Sequence, residues 1–99
     1  MTEAVVHVII RGRVQGVGYR AFVEDEAVTR GLEGWVRNRQ DGSVEAVFAG
    51  PAEKVAMMIA GCGSGPRSAQ VEGIDQKEGT RELLAQRRLG QKFSVLMTI

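Results

Sequence analysis

The chain has 99 residues, 43% of them hydrophobic and 25% charged, and its 13 basic residues nearly balance 12 acidic ones. That is one small domain with a single core, and the charge balance argues against a surface built to neutralise nucleic-acid phosphates. The one cysteine, Cys62, excludes an internal disulfide, and no cysteine–histidine cluster offers a zinc site.

No apolar run is long enough to span a membrane. The start, "MTEAVVHVIIRGR", has neither the basic opening nor the small-residue cleavage site of a signal peptide, so it reads as a strand. Ala4–Arg11, "AVVHVIIR", is apolar and β-branched, the pattern of a buried strand. A glycine loop follows. From there Tyr19, Phe22, Val23 and Ala27 recur at helical spacing, and Gly31 can end the helix. Leu32–Asn38 is strand-like and runs into Asp41-Gly42, a hairpin signal, with Val44–Gly50 as the return strand.

Gly50-Pro51 opens a second helix, because proline suits a first helical position. Val55, Met58, Ile59 and Cys62 form its buried stripe, with Met57 off it, and Gly61–Ser68 reads as a turn. Ala69–Glu78 is a further strand and Phe93–Ile99 an apolar terminal one. Gly79–Lys92 between them is charged and reads as a mobile connection with some helical character, which Thr80 can cap and Gly90 can end. The order β-α-β, β-α-β predicts an α+β fold: a single ferredoxin-like α/β sandwich over residues 1–99, with both helices on one face of an antiparallel sheet.

The segment "GRVQGVGYR", Gly12–Arg20, joins a buried strand to a helix. Glycines let backbone N–H groups approach a ligand, and the helix start adds unpaired donors and the positive end of its dipole. Arg20 in the first turn can close on an anion with a planar fork. A plain turn with a surface arginine has the same spacing, and both readings stand on spacing alone. The segment matches neither the nucleotide P-loop nor the dinucleotide pattern.

"GRVQGVGYR" resembles the first signature of the acylphosphatase family, and "GWVRNRQDGSVEAVFAG", Gly34–Gly50, resembles the second. Glycine, aromatic, valine, basic residue and asparagine stand in the family order, followed by Gly42, Val44 and Gly50 at the family spacing. Tyr19 departs from the pattern, where phenylalanine or methionine is more usual, and Gly79–Ile99 does not resemble the usual short ending. The resemblance implies hydrolysis of the carboxyl–phosphate bond of small acyl phosphates to a carboxylate and inorganic phosphate. It implies Arg20 as the phosphate-binding arginine and Asn38 as the residue that orients the attacking water. The backbone amides of Gln15, Gly16, Val17, Gly18 and Tyr19 would hold phosphate oxygens. Neither metal nor cofactor is expected.

Physical chemistry agrees with those roles. An acyl phosphate carries a good leaving group, so positioning and charge stabilisation supply most of the catalysis. An asparagine amide can accept from water through its oxygen and donate to phosphate through its nitrogen, whereas an aspartate would repel the substrate.

His7 reads as a hydrogen-bonded sheet residue, Cys62 as core, Trp35 as packing on one sheet face, and Arg13, Arg37 and Arg39 as solvated. The competing reading is a non-catalytic anion-binding or regulatory domain on the same fold. RNA-recognition modules share the fold too, but the strands beside the hairpin lack their aromatic signature. The chain is expected to act as a cytoplasmic monomer on a small molecule, with no nucleic-acid or membrane partner.

Overall fold

β-Branched residues build the first element, β1 (Glu3–Arg13), of a computed structural model that describes residues 2–99. The strand runs two residues past the expected end, through a register shift between Arg11 and Gly12, so the loop proper is residues 14–18. Helix α1 (Tyr19–Thr29) follows, then β2 (Glu33–Asn38), β3 (Val44–Pro51), helix α2 (Ala52–Ser64), β4 (Gln70–Glu78), a short 3-10 helix (Arg81–Gln86) and β5 (Phe93–Val95).

The five strands form one sheet in the order β4-β1-β3-β2-β5. The first four pair antiparallel, as expected of the ferredoxin-like arrangement, and β5 adds a parallel pair at the β2 edge. Both helices lie on one face. There α1 buries Tyr19, Val23 and Ala27 and α2 buries Val55, Met58 and Cys62 against Val8, Ile10, Val36, Ala46 and Phe48 of the sheet. Met58 is buried and Met57 exposed, as the stripe requires.

Besides β1, three segments differ from the sequence expectation. Helix α2 continues through Gly61 and Gly63 to Ser64 where a turn was expected. Glycine in a helix interior costs about 0.5–1 kcal/mol relative to alanine, but the fully buried Cys62 lies between the two, and its packing carries the helix onward. The terminal strand is regular only over Phe93–Val95. Beyond it, single hydrogen bonds hold the chain along β2: Leu96 N–H to Val36 O (2.9 Å) and Ile99 N–H to Asn38 O (3.1 Å).

The third difference is the 79–92 segment, which is an ordered cover for the second sheet face. Its Leu83 and Leu84 pack on Trp35, Val47 and Ala49, and Trp35 Nε1 donates to Leu83 O at 2.8 Å. Trp35 thus satisfies its one polar atom while its ring is buried. Arg81 and Arg87 pair with Glu33 on β2 and fix the same segment from the side. No described helix is long and apolar enough to cross a membrane.

Candidate active site

Residues 14–18 leave β1 and enter α1 without any side-chain cap. Gly18 is the N-cap, at φ 79°, and Gly16 is at φ 72°. L-side chains rarely adopt this left-handed backbone, which is why glycine stands at both positions. The amides of Gln15, Gly16, Val17 and Gly18 donate to no acceptor among the described residues. The first turn of α1 carries no acidic side chain, so the positive end of the helix faces the loop unneutralised.

A cleft of about 420 Å³ opens at this helix start, and it brings together residues far apart in sequence. Gln15, Gly16, Gly18, Tyr19 and Arg20 line one side. Asn38, from the end of β2, lines the other, with Val95 of β5 beside it. Val17 does not line the cleft; its side chain packs against the main core, leaving only its backbone on the loop. Arg20 makes no ion pair among the described residues.

Asn38 carries the most telling local feature. Its Oδ1 is buried and has no hydrogen-bond partner among the described residues. Leaving a buried acceptor unmade costs about 1–3 kcal/mol, and such atoms call for a reason. Its backbone, by contrast, is fixed on two sides, by pairing with Val44 of β3 and by the bond from Ile99. The side chain therefore stands on a rigidly held backbone, with its oxygen left without an internal partner.

The Gln15 side chain, to which sequence reasoning assigned nothing, is a strut between the two halves of the site. Its Nε2 donates to Arg39 O at 2.7 Å and to Ser43 O at 2.8 Å, in the hairpin that follows Asn38. Ser43 is itself held there by Asp41, which accepts from both its backbone N–H and its hydroxyl. Tyr19 ties the loop to α2. Its buried hydroxyl donates to Cys62 O at 2.7 Å, one of the last four carbonyls of that helix, which have no partner within the helix. Burial pushes the Tyr19 hydroxyl far above its ordinary pKa and the Cys62 thiol up to about 11. Both are neutral at physiological pH, and Cys62 is no nucleophile there.

A family model described as acylphosphatase matches residues 6–89. The chain belongs to the acylphosphatase family. The acylphosphatase of Rhodopseudomonas palustris is 58% identical over 99 residues, all of both chains. Among solved structures, the Bacillus subtilis acylphosphatase superposes with a TM-score of 0.81 at 34% identity, covering 96% of this chain and 99% of that one. An acylphosphatase from Coxiella burnetii gives the same TM-score at 30% identity, over 95% of this chain and 93% of that one. As an acylphosphatase this chain is a hydrolase.

The remaining candidates fall outside the cleft. His7 donates through Nε2 to Glu45 Oε2 at 2.6 Å on the opposite sheet face, as its strand position suggested. Arg37 was expected to be solvated and is not. Its Nε donates to Glu45 Oε1 at 2.8 Å, and its guanidinium lies over the Trp35 ring, 4.6 Å from the centroid. Alternation along β2 places Arg37 on the face away from Asn38.

Proposed function

We propose that the cleft hydrolyses the carboxyl–phosphate bond of small acyl phosphates, giving a carboxylate and inorganic phosphate. The phosphoryl oxygens lie against the amides of residues 15–19 and the Arg20 guanidinium, whose fork matches two of them. Water attacks phosphorus, the bond to the acyl oxygen breaks, and its electron pair leaves on the carboxylate. A carboxylate is a weak base, so the departing group needs no proton, and the water's proton passes to the phosphate product or to solvent.

The observation that carries this reading is the partnerless Oδ1 of Asn38. Asn38 lines the cleft, and a turn of its amide that brings Oδ1 into the cleft gives that buried acceptor the donor it lacks. A water molecule is such a donor: it gives one hydrogen to Oδ1 and turns its lone pair toward phosphorus. The amide nitrogen can meanwhile donate to a phosphoryl oxygen. A purely anion-binding domain gains nothing from that acceptor. Phosphoryl transfer through a loose transition state asks mainly for positioning and charge stabilisation, and these groups supply both.

Purified protein should turn over acetyl and benzoyl phosphate and leave phosphate monoesters nearly untouched, with inorganic phosphate as a competitive inhibitor. A chelator should not slow it. Rate loss in EDTA that a divalent cation restores, or equal turnover of monoesters, would show the mechanism to be wrong.

A further inference from the structure

We propose that Glu24 sets the charge of the acyl group the cleft accepts, favouring neutral and cationic acyl phosphates over those carrying a second anionic group. This rests on the phosphoryl group lying against the loop and Arg20, as described above. With that end fixed, the rest of the substrate extends past the walls that remain: Val14 before the loop, Ala21 and Glu24 on α1 and Val95 on β5. Ala21 and Val95 are small and apolar. Glu24 is the sole acidic residue among those lining the cleft.

Its placement follows from helix geometry. Glu24 stands one turn beyond Arg20 on α1, and helical side chains lean toward the N-terminus, here toward the cleft. Although spaced i,i+4 from Arg20, it forms no ion pair with it or with any other described residue. No salt bridge among the described residues engages its carboxylate, which is exposed at the rim. Arg20 remains free for the phosphoryl group, while Glu24 is left to meet whatever the acyl group presents. Screened charges at a protein surface alter binding by roughly three- to tenfold when brought within a few ångströms, and less in high salt.

The test uses three benzoyl phosphates of one shape: the parent, the 4-carboxylate and the 4-trimethylammonium compound. Each is assayed with wild type, Glu24→Gln and Glu24→Lys, with circular dichroism as the folding control. The readout is the ratio of kcat/KM for the cationic to the anionic substrate, so the intrinsic reactivity of each compound cancels between proteins. The ratio should fall about three- to tenfold in Glu24→Gln and further in Glu24→Lys. The change should lie mainly in KM, because a remote charge is met equally in ground and transition states. It should shrink at about 1 M salt. An equal ratio in all three proteins, with the parent still hydrolysed, overturns the role of Glu24. Failure of wild type to hydrolyse the parent overturns the proposed function itself, and this inference with it.

Discussion

Replacing Asn38 by alanine removes a buried acceptor that the fold holds at a cost, so stability and catalysis should move apart. The melting temperature of Asn38→Ala should equal or exceed that of wild type. Its kcat should fall about 100- to 1000-fold, the usual loss for one preorganised polar contact, with phosphate inhibition little changed. Arg20→Ala should weaken phosphate inhibition and turnover together, and Arg20→Lys should restore little, because an ammonium lacks the fork. Steady-state kinetics, phosphate inhibition and thermal melts on the three variants decide the matter; a folded Asn38→Ala with near-normal kcat would make the asparagine structural. The motifs single out Arg20 and Asn38, and both line the same cleft. The Gln15 strut was not legible there, because its acceptors are carbonyls of Arg39 and Ser43, which have no side-chain signature. Tyr19, which looked like a departure, is explained by its acceptor: a phenylalanine there would leave the Cys62 carbonyl without its donor.

The loop, as an element, holds its shape through backbone conformation. Gly16 and Gly18 have left-handed φ, and an added Cβ at either would meet nothing within 4 Å. Gly16→Val should therefore act through strain, of about 1–3 kcal/mol, since there is nothing for the valine to strike. The loop relieves that strain by leaving its left-handed geometry, which disperses the amides. The expected result is an inhibition constant for inorganic phosphate raised at least tenfold in a protein that still melts cooperatively; unchanged inhibition would count against the amide cradle. Gly34 in the second motif, at φ 146°, adds a steric reason for being glycine to the conformational one. A Cβ there would lie 1.8 Å from Val47 O, so no side chain fits between β2 and β3. All three glycines stood out in the sequence, but only the fold shows that Gly16 and Gly18 answer to backbone conformation alone and Gly34 to a close approach as well.

At the scale of the whole molecule, the face opposite the helices is held by charge as well as by the Trp35 cluster. Burial pushes the Glu45 carboxyl up, but the hydrogen bonds and charges of His7 and Arg37 outweigh it and hold the group below its ordinary value. Glu33 is lowered too, first by its hydrogen bond from Arg81. A depressed carboxyl binds fewer protons in the folded chain than in the unfolded one. Its contribution is thus complete above the unfolded value of about 4.3 and is lost as pH falls through the folded value. Urea unfolding stepped from pH 7 to pH 3 should show stability dropping below about pH 4.5. Glu45→Gln should be less stable at pH 7 and shallower across the acid window. Parallel curves for the two proteins would remove Glu45 from the account.

The sequence by itself determined the order of elements, the buried stripes of both helices, the hairpin after β2 and the membership of the acylphosphatase family. Each of these is written in local periodicity, in turn residues or in a short motif, and needs no distant partner to be read. Tertiary structure alone decided the fate of the 79–92 segment, the extra turn of α2, the parallel seat of β5 and the burial of Arg37. The first two share a physical reason. A charged or glycine-rich stretch has weak preferences of its own, and its conformation is set by what it covers. Leu83 and Leu84 become a 3-10 helix because Trp35 presents a ring and an N–H that need covering, and Trp35 lies 48 residues away from Leu83 in the chain. The cleft is decided in the same way. Arg20 and Asn38 are ordinary polar residues until the sheet sets the end of β2 beside the start of α1, and that juxtaposition is a property of the folded chain alone.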